Sequence, residues 1–160
     1  MIVGFIGLGT MGSNAARNLR RAGFEMVAYD IRPDAVERQL APGVQAGRSP
    51  ADVLNRCDVV VSMVFGPREV EQVLRGPEGF LSADCRGKYW IDMTTSSPGL
   101  MRALASEFAA RGGHTVDAPV TGSVEAGEGH SAAAAREAGA HHRSDRLVRL
   151  VERVAAGESA

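Results

Sequence analysis

Near the start of the chain an apolar run meets a glycine-rich turn, and this junction limits the available folds more than any other stretch. Ile2, Val3, Phe5 and Ile6 lead into Gly7-Leu8-Gly9-Thr10-Met11-Gly12, which is Gly-x-Gly-x-x-Gly. A short apolar run stopped by glycines reads as a buried strand, and a helix must follow the turn. Gly7 permits the tight turn, Gly9 lets a pyrophosphate approach the backbone, and Gly12 lets the helix lie close to the strand. A diphosphate would rest on the free N–H groups at the helix N-terminus, where the helix dipole favours negative charge. The helix is expected from Met11 to Ala22 with Gly23 closing it, and the second strand, Glu25 to Tyr29, runs into Asp30. An acidic residue there, roughly 20 residues past the glycines, can accept a hydrogen bond from a ribose 2′-hydroxyl. The pattern predicts a dinucleotide site at Gly7, Leu8, Gly9, Thr10, Met11, Gly12 and Asp30. The plainer alternative is an ordinary strand–turn–helix with a solvated aspartate.

The rest of the chain alternates strand and helix. Ile31 and Arg32 form a turn past Asp30, and Pro33 suits the first turn of a short helix over Ala35 to Leu40. Arg32 would neutralise a 2′-phosphate and favour NADP, whereas Asp30 repels that phosphate and favours NAD. The balance of the two predicts NAD, with NADP open. Val44 to Ala46 is a third strand, and Ser49-Pro50 caps a helix to Arg56. Val59 to Val64, unbroken in its apolar character, fits a parallel sheet covered on both faces. Met63, Val64 and Phe65 fall at the end of that strand where doubly wound sheets bind ligands, so they are expected to wall the groove. Core packing is the competing role for Met63. A helix from Pro67, a fifth strand over Lys88 to Asp92, a helix over Gly99 to Arg111 and a sixth strand over His114 to Asp117 complete the series. Ser97 before Pro98 is assigned to capping that helix, which leaves Thr95 for the ligand. The alternation predicts an α/β fold with a doubly wound parallel sheet.

Composition narrows the partner. With 160 residues, 44% apolar content and a formal charge of −1, the chain has length for one domain and no electrostatic reason to bind nucleic acid or an anionic membrane. A small molecule is the expected partner. The absence of a basic leader or a long apolar stretch predicts a cytoplasmic protein without a membrane span. Cys57 and Cys85 lack Cys-x-x-Cys spacing and read as buried small residues. The four histidines, His114, His130, His141 and His142, have no i, i+4 spacing, and no metal site is expected.

Four motifs together resemble the β-hydroxyacid dehydrogenase family, the 3-hydroxyisobutyrate dehydrogenase-like enzymes. They are Gly4-Phe-Ile-Gly-Leu-Gly-Thr-Met-Gly12 with Ala16, Asn18 and Leu19; Ser62-Met63; Ile91-Asp-Met-Thr-Thr-Ser-Ser-Pro98; and Asp117-Ala-Pro-Val-Thr-Gly-Ser123. The resemblance covers residues 2 to 128. It implies reversible NAD(P)-dependent oxidation of a small 3-hydroxy acid to its semialdehyde. It implies further that Gly7, Gly9 and Gly12 hold the pyrophosphate, that Thr95 approaches the nicotinamide ribose, and that Thr121, Gly122 and Ser123 bind the substrate carboxylate. Imine reductases and tartronate semialdehyde reductases share the fold and stay open as related activities.

Three departures qualify the match. Asp30-Ile31-Arg32 replaces the Asn-Arg-Thr of NADP-preferring members, which supports NAD. Val64-Phe65 stands where the family often has Leu-Pro. The family's second, all-helical domain and its catalytic lysine have no counterpart here, since Lys88 is the sole lysine and lies at the start of a strand. No catalytic residue is therefore assigned, and a catalytically silent NAD-binding module is the alternative from another class. Residues 1–128 are expected to form the NAD(P)-binding unit and 129–160 a divergent helical tail. A shift of reading frame near Gly129 would produce such a change of character, and coding DNA with no alternative frame for a lysine-bearing helix would refute it. In the tail, Leu147, Leu150, Val151 and Val154 recur at helical spacing, so residues 145–155 predict an amphipathic helix seeking a partner face, with a homodimer as one outcome.

Overall fold

The structure, a computed structural model, describes residues 1–119 and 146–156. Strands β1 (Ile2–Ile6), β2 (Glu25–Tyr29), β3 (Val44–Ala46), β4 (Val59–Ser62), β5 (Tyr89–Asp92) and β6 (His114–Asp117) form one sheet. Its order is β3-β2-β1-β4-β5-β6, and every pairing is parallel. Helices α1 (Thr10–Arg21), α2 (Pro33–Glu37), α3 (Pro50–Arg56), α4 (Pro67–Arg75) and α5 (Pro98–Ala110) connect the strands. A last helix, α6, covers 146–155. Strand order reverses beside β1, whose neighbours are β2 and β4, and this reversal opens a crevice at the C-terminal strand ends.

Both faces of the sheet are buried, which is why β1 and β4 read as continuous apolar runs. On one face Val3, Phe5, Met26, Ala28, Val59, Val61 and Ile91 pack with Ala16 and Leu19 of α1 and with Leu147, Val151 and Val154 of α6. On the other, Val27, Val60 and Trp90 pack under Val53 and Leu54 of α3, Val70 and Leu74 of α4, and Leu104 and Phe108 of α5. Trp90 meets Phe80 and Phe108 edge-on, at centroid distances of 5.6 and 5.9 Å. The amphipathic stripe expected in the tail thus finds its partner in the chain's own sheet. A helix this short does not hold alone in water, and burial of its three apolar side chains, about 1.5 kcal/mol or more each, stabilises it. That stripe is not a free surface for a second copy.

Local signals place most boundaries. Ser49 Oγ accepts from the Asp52 N–H at 3.1 Å and Ser97 Oγ from the Leu100 N–H at 3.3 Å, each one residue before a proline. Several expected boundaries shift, those of α1 and α5 by one residue at each end. Helix α2 begins at Pro33, whose fixed φ already suits a helix. It ends at Glu37, because Gln39 and Leu40 donate to the carbonyls of Val36 and Glu37 in tight i−3 turns. Strand β4 stops at Ser62, since the Val64 N–H leaves the ladder for Thr94 Oγ1 at 3.1 Å. Strand β5 starts at Tyr89 because the Lys88 N–H turns back to the Cys85 carbonyl.

Candidate cofactor site

A groove of about 1500 Å³ follows the C-terminal ends of β1, β2, β4 and β5. Its floor is the glycine turn. Gly7 has φ +94°, and a Cβ there would lie 2.2 Å from the Met63 carbonyl oxygen. A Cβ on Gly12 would lie 1.9 Å from the Gly7 carbonyl oxygen, so α1 and the turn approach each other only because Gly12 has no side chain. Gly9 differs, because a Cβ there would meet nothing within 4 Å. Its absence serves no packing need of the protein and leaves the backbone open to the groove. Helix α1 starts at this point with Gly9 as N-cap, no side-chain cap and no acidic residue in its first turn. An uncapped helix start facing a groove suits an anion. Thr10 and Met11 line the groove beside it, both exposed.

On the β2 side the acid at the strand end is already engaged. Asp30 Oδ2 accepts from the Leu8 N–H at 2.7 Å, and Oδ1 accepts from the Arg32 N–H at 2.9 Å and Nε–H at 3.3 Å. Asp30 therefore ties the glycine turn to the end of β2, and a carboxylate has lone pairs left for a further hydroxyl. Leu8 contributes backbone only, since its side chain lies in the core. Its N–H, held by Asp30, is not among the donors left for a phosphate. Ile31 is 82% exposed at the groove edge, beside the exposed Arg32.

On the β4 and β5 side the walls are Met63, Val64 and Phe65, facing Thr94 and Thr95. Met63 also packs against one core and Val64 against the other. Phe65 is 98% exposed at the rim. Behind the wall lies a buried polar network. Asp92 Oδ1 accepts from Ser62 Oγ at 2.5 Å and from Thr94 Oγ1 at 3.0 Å, and Ser62 Oγ accepts from Trp90 Nε1 at 2.8 Å. Burial pushes the Asp92 carboxyl up to about 6, the hydroxyls of Ser62 and Thr94 oppose that, and nearby Asp117 adds to it. Asp92 Oδ2 is buried without a hydrogen-bond partner.

All thirteen residues expected at the cofactor site line this one groove. Thr94, Tyr29, Arg38 and Glu69 also line it, although the sequence does not single them out. Hydroxyls at the end of a strand were the available signal for Thr94. Thr121, Gly122 and Ser123 lie outside the described residues, as do His130, His141 and His142. His114 stacks on Tyr89 at 4.8 Å. Lys88 sits at the opposite end of the sheet, where its Nζ donates to the Cys57 carbonyl at 2.8 Å. Cys57 and Cys85 are buried and unbridged, and burial pushes the Cys57 thiol up to about 12, which makes it a poor nucleophile.

Comparison with known proteins agrees with this geometry. The family described as the NAD binding domain of 6-phosphogluconate dehydrogenase matches residues 2–156. The chain belongs to this family. Within it the chain is the NAD-binding domain of the β-hydroxyacid dehydrogenase type. L-threonate dehydrogenase of Cupriavidus necator is 41% identical over 120 residues, covering 75% of this chain and 40% of that protein. Mouse mitochondrial 3-hydroxyisobutyrate dehydrogenase is 36% identical over 124 residues, covering 78% and 37%. The crystal structure of 3-hydroxyisobutyrate dehydrogenase from Salmonella typhimurium superposes with a TM-score of 0.70 at 31% identity, covering 77% of this chain and 43% of that one. The chain thus spans about two fifths of the length of these relatives. The family match runs past residue 128 and includes α6, which shares the sheet's core. Among the described residues no helix is long and apolar enough to cross a membrane.

Proposed function

We propose that this NAD-binding domain serves an oxidoreductase that moves a hydride between nicotinamide and a small 3-hydroxy acid or its semialdehyde. The observation that carries the reading is the glycine turn, closed to side chains at Gly7 and Gly12 yet open above Gly9, at an uncapped helix start. In this reading Gly9, Thr10 and Met11 offer backbone N–H groups to the pyrophosphate. Asp30 takes a ribose hydroxyl while Leu8 and Arg32 hold it in place. Gly7 and Gly12 keep the turn and helix in contact, and Ile31 flanks the adenosine end. Met63, Val64 and Phe65 wall the groove beside the cofactor, and Thr95 approaches the nicotinamide ribose. The cofactor supplies the hydride chemistry; the chain binds, orients and screens it from water.

The names of the relatives support a hydroxy acid as substrate. Thr121, Gly122 and Ser123 are proposed to bind its carboxylate through hydroxyl and backbone donors. Residues 1–128 form the cofactor unit in this proposal, with α6 as its packed flank. A cytoplasmic setting suits two free, buried cysteines. Titration of the purified chain with NADH and then NADPH, followed by cofactor fluorescence, tests the proposal. Saturable binding, tighter for NADH, is expected, together with calorimetric binding of 3-hydroxyisobutyrate to the NAD-saturated chain. A folded chain that binds neither dinucleotide overturns it.

A further inference from the structure

The groove's two turns on the β4 and β5 side are joined by a side-chain network whose members lie in two of the quoted motifs without a role assigned to them there. Ser62 and Asp92 are paired across β4 and β5, on the face covered by α3, α4 and α5, and both are fully buried. Four hydrogen bonds run in sequence from the core to the groove. Trp90 Nε1–H donates to Ser62 Oγ, Ser62 Oγ–H donates to Asp92 Oδ1, Thr94 Oγ1–H donates to the same oxygen, and the Val64 N–H donates to Thr94 Oγ1. The directions are mutually consistent. Each hydroxyl accepts from a group that can only donate and donates to the one oxygen at the centre. A buried carboxyl group is costly to keep, and apolar packing at this position would remove the cost. What an apolar residue cannot do is orient two hydroxyls at once. Oriented in this way, Thr94 fixes the backbone of Val64 across a gap of thirty residues.

We propose that Asp92 is a positioning residue that, through Thr94, clasps the turn after β4 to the turn after β5 and so shapes the nicotinamide half of the groove. The inference rests on the proposed dinucleotide function. In that reading the adenosine ribose lies at Asp30, on the β2 side of β1, and the pyrophosphate at the start of α1. The remaining half of the dinucleotide then extends over β4 and β5. Asp92 and Ser62 do not line the groove themselves, so their effect passes through Thr94 and the Val64 backbone. Met63 and Phe65 flank Val64 in the chain and line the same groove.

The test compares ligands that do and do not reach the clasped turns. NADH spans the whole groove, while ADP occupies only the β2 side and the helix start. Thr94→Val removes both hydrogen bonds of the hydroxyl at nearly constant volume, and Asp92→Ala removes the central acceptor. Each is expected to weaken NADH binding by about fivefold to tenfold, in line with the loss of one or two buried hydrogen bonds, with ADP affinity unchanged. Thr94→Ser keeps the hydroxyl and should restore NADH affinity, which a role resting on the threonine methyl would not allow. Equal losses for NADH and ADP would reduce Asp92 to general scaffolding and overturn the proposal. Unchanged NADH affinity in Thr94→Val, a substitution gentle enough to leave the fold in place, would do the same. A folded wild-type chain that binds neither ligand would instead remove the dinucleotide reading on which the inference stands.

Discussion

The two halves of the groove are built in different ways. On the β2 side, backbone geometry dominates. Glycines bring the turn against α1, and Asp30 closes the arrangement by accepting backbone N–H groups from Leu8 and Arg32. On the β4 and β5 side, side chains bonded to one another do the corresponding work, with Asp92 buried at their centre. The first half tolerates few residue types because its constraints are steric. The second could be built from other hydrogen-bonding sets, provided each donor meets an acceptor. The first should therefore respond to added atoms and the second to lost partners and to pH.

The largest effect separates glycines that serve the fold from one that serves the ligand. Gly12→Ala places a methyl 1.9 Å from a backbone oxygen, and no rotamer relieves it. It should cost about 3 kcal/mol or more, because α1 must move away from β1. Gly9→Ala adds a methyl into open space, at φ −64°, which any residue adopts. Its stability should stay within about 1 kcal/mol of wild type, while NADH affinity falls at least about tenfold as the methyl occupies pyrophosphate space. Thermal melts beside NADH titrations read both numbers. Equal destabilisation by the two substitutions would break the division of labour drawn here.

A smaller effect tests the second half through pH. Burial raises the Asp92 carboxyl to about 6 in the folded chain, above an unfolded value near 4. The fold therefore binds this proton more tightly than the unfolded chain does. The contribution to stability is complete below about pH 4 and is lost as pH rises through about 6, a change of about 2 to 3 kcal/mol. Asp52 and Asp84, held low by arginine partners, contribute in the opposite direction. The comparison is thus between wild type and Asp92→Asn, in which those contributions cancel. The amide of that variant would keep an oxygen for Ser62 and Thr94 without titrating, so the difference between the two denaturation curves should change across pH 4 to 6 and level off beyond about pH 7. A constant difference across that range would mean that Asp92 does not titrate as described.

The same contrast explains what the sequence made legible. Gly7, Gly9, Gly12 and Asp30 announce themselves because their constraints are local, each residue type being required by a turn, a close approach or a strand end. Ser49 and Ser97 were legible as caps for the same reason, each preceding a proline. The end of β4 was not, because Val64 leaves the ladder for a threonine thirty residues away, and neither was the start of β5, where the Lys88 N–H turns back to Cys85. The inward role of Thr94 was not legible either, because adjacent hydroxyls look alike until the fold shows which one reaches Asp92. The partner of α6 was equally hidden. Periodicity predicts that Leu147, Val151 and Val154 share a face, and only the fold shows that the facing surface includes Val3, Val59 and Ile91.

The smallest effect bears on cofactor choice within the first half. Arg32 is more than half exposed, and its Nε–H reaches Asp30 Oδ1 at 3.3 Å, a weak surface pair worth at most about 1 kcal/mol. Arg32→Ala should therefore leave stability almost unchanged. Its consequence for binding depends on the phosphate. NADH carries no charge at the ribose 2′ position, and Asp30 keeps its Leu8 and Arg32 backbone donors in the variant, so NADH affinity should change by less than about twofold. NADPH brings a phosphate toward the Asp30 carboxylate, and without the guanidinium nothing on this turn offsets the repulsion, so its affinity should fall by about fivefold or more. The ratio of the two affinities then measures how far Arg32 counterbalances Asp30. If NADH weakens as much as NADPH, Arg32 acts by holding the carboxylate in place, and the β2 half depends on side-chain pairing after all, as the β4 and β5 half does.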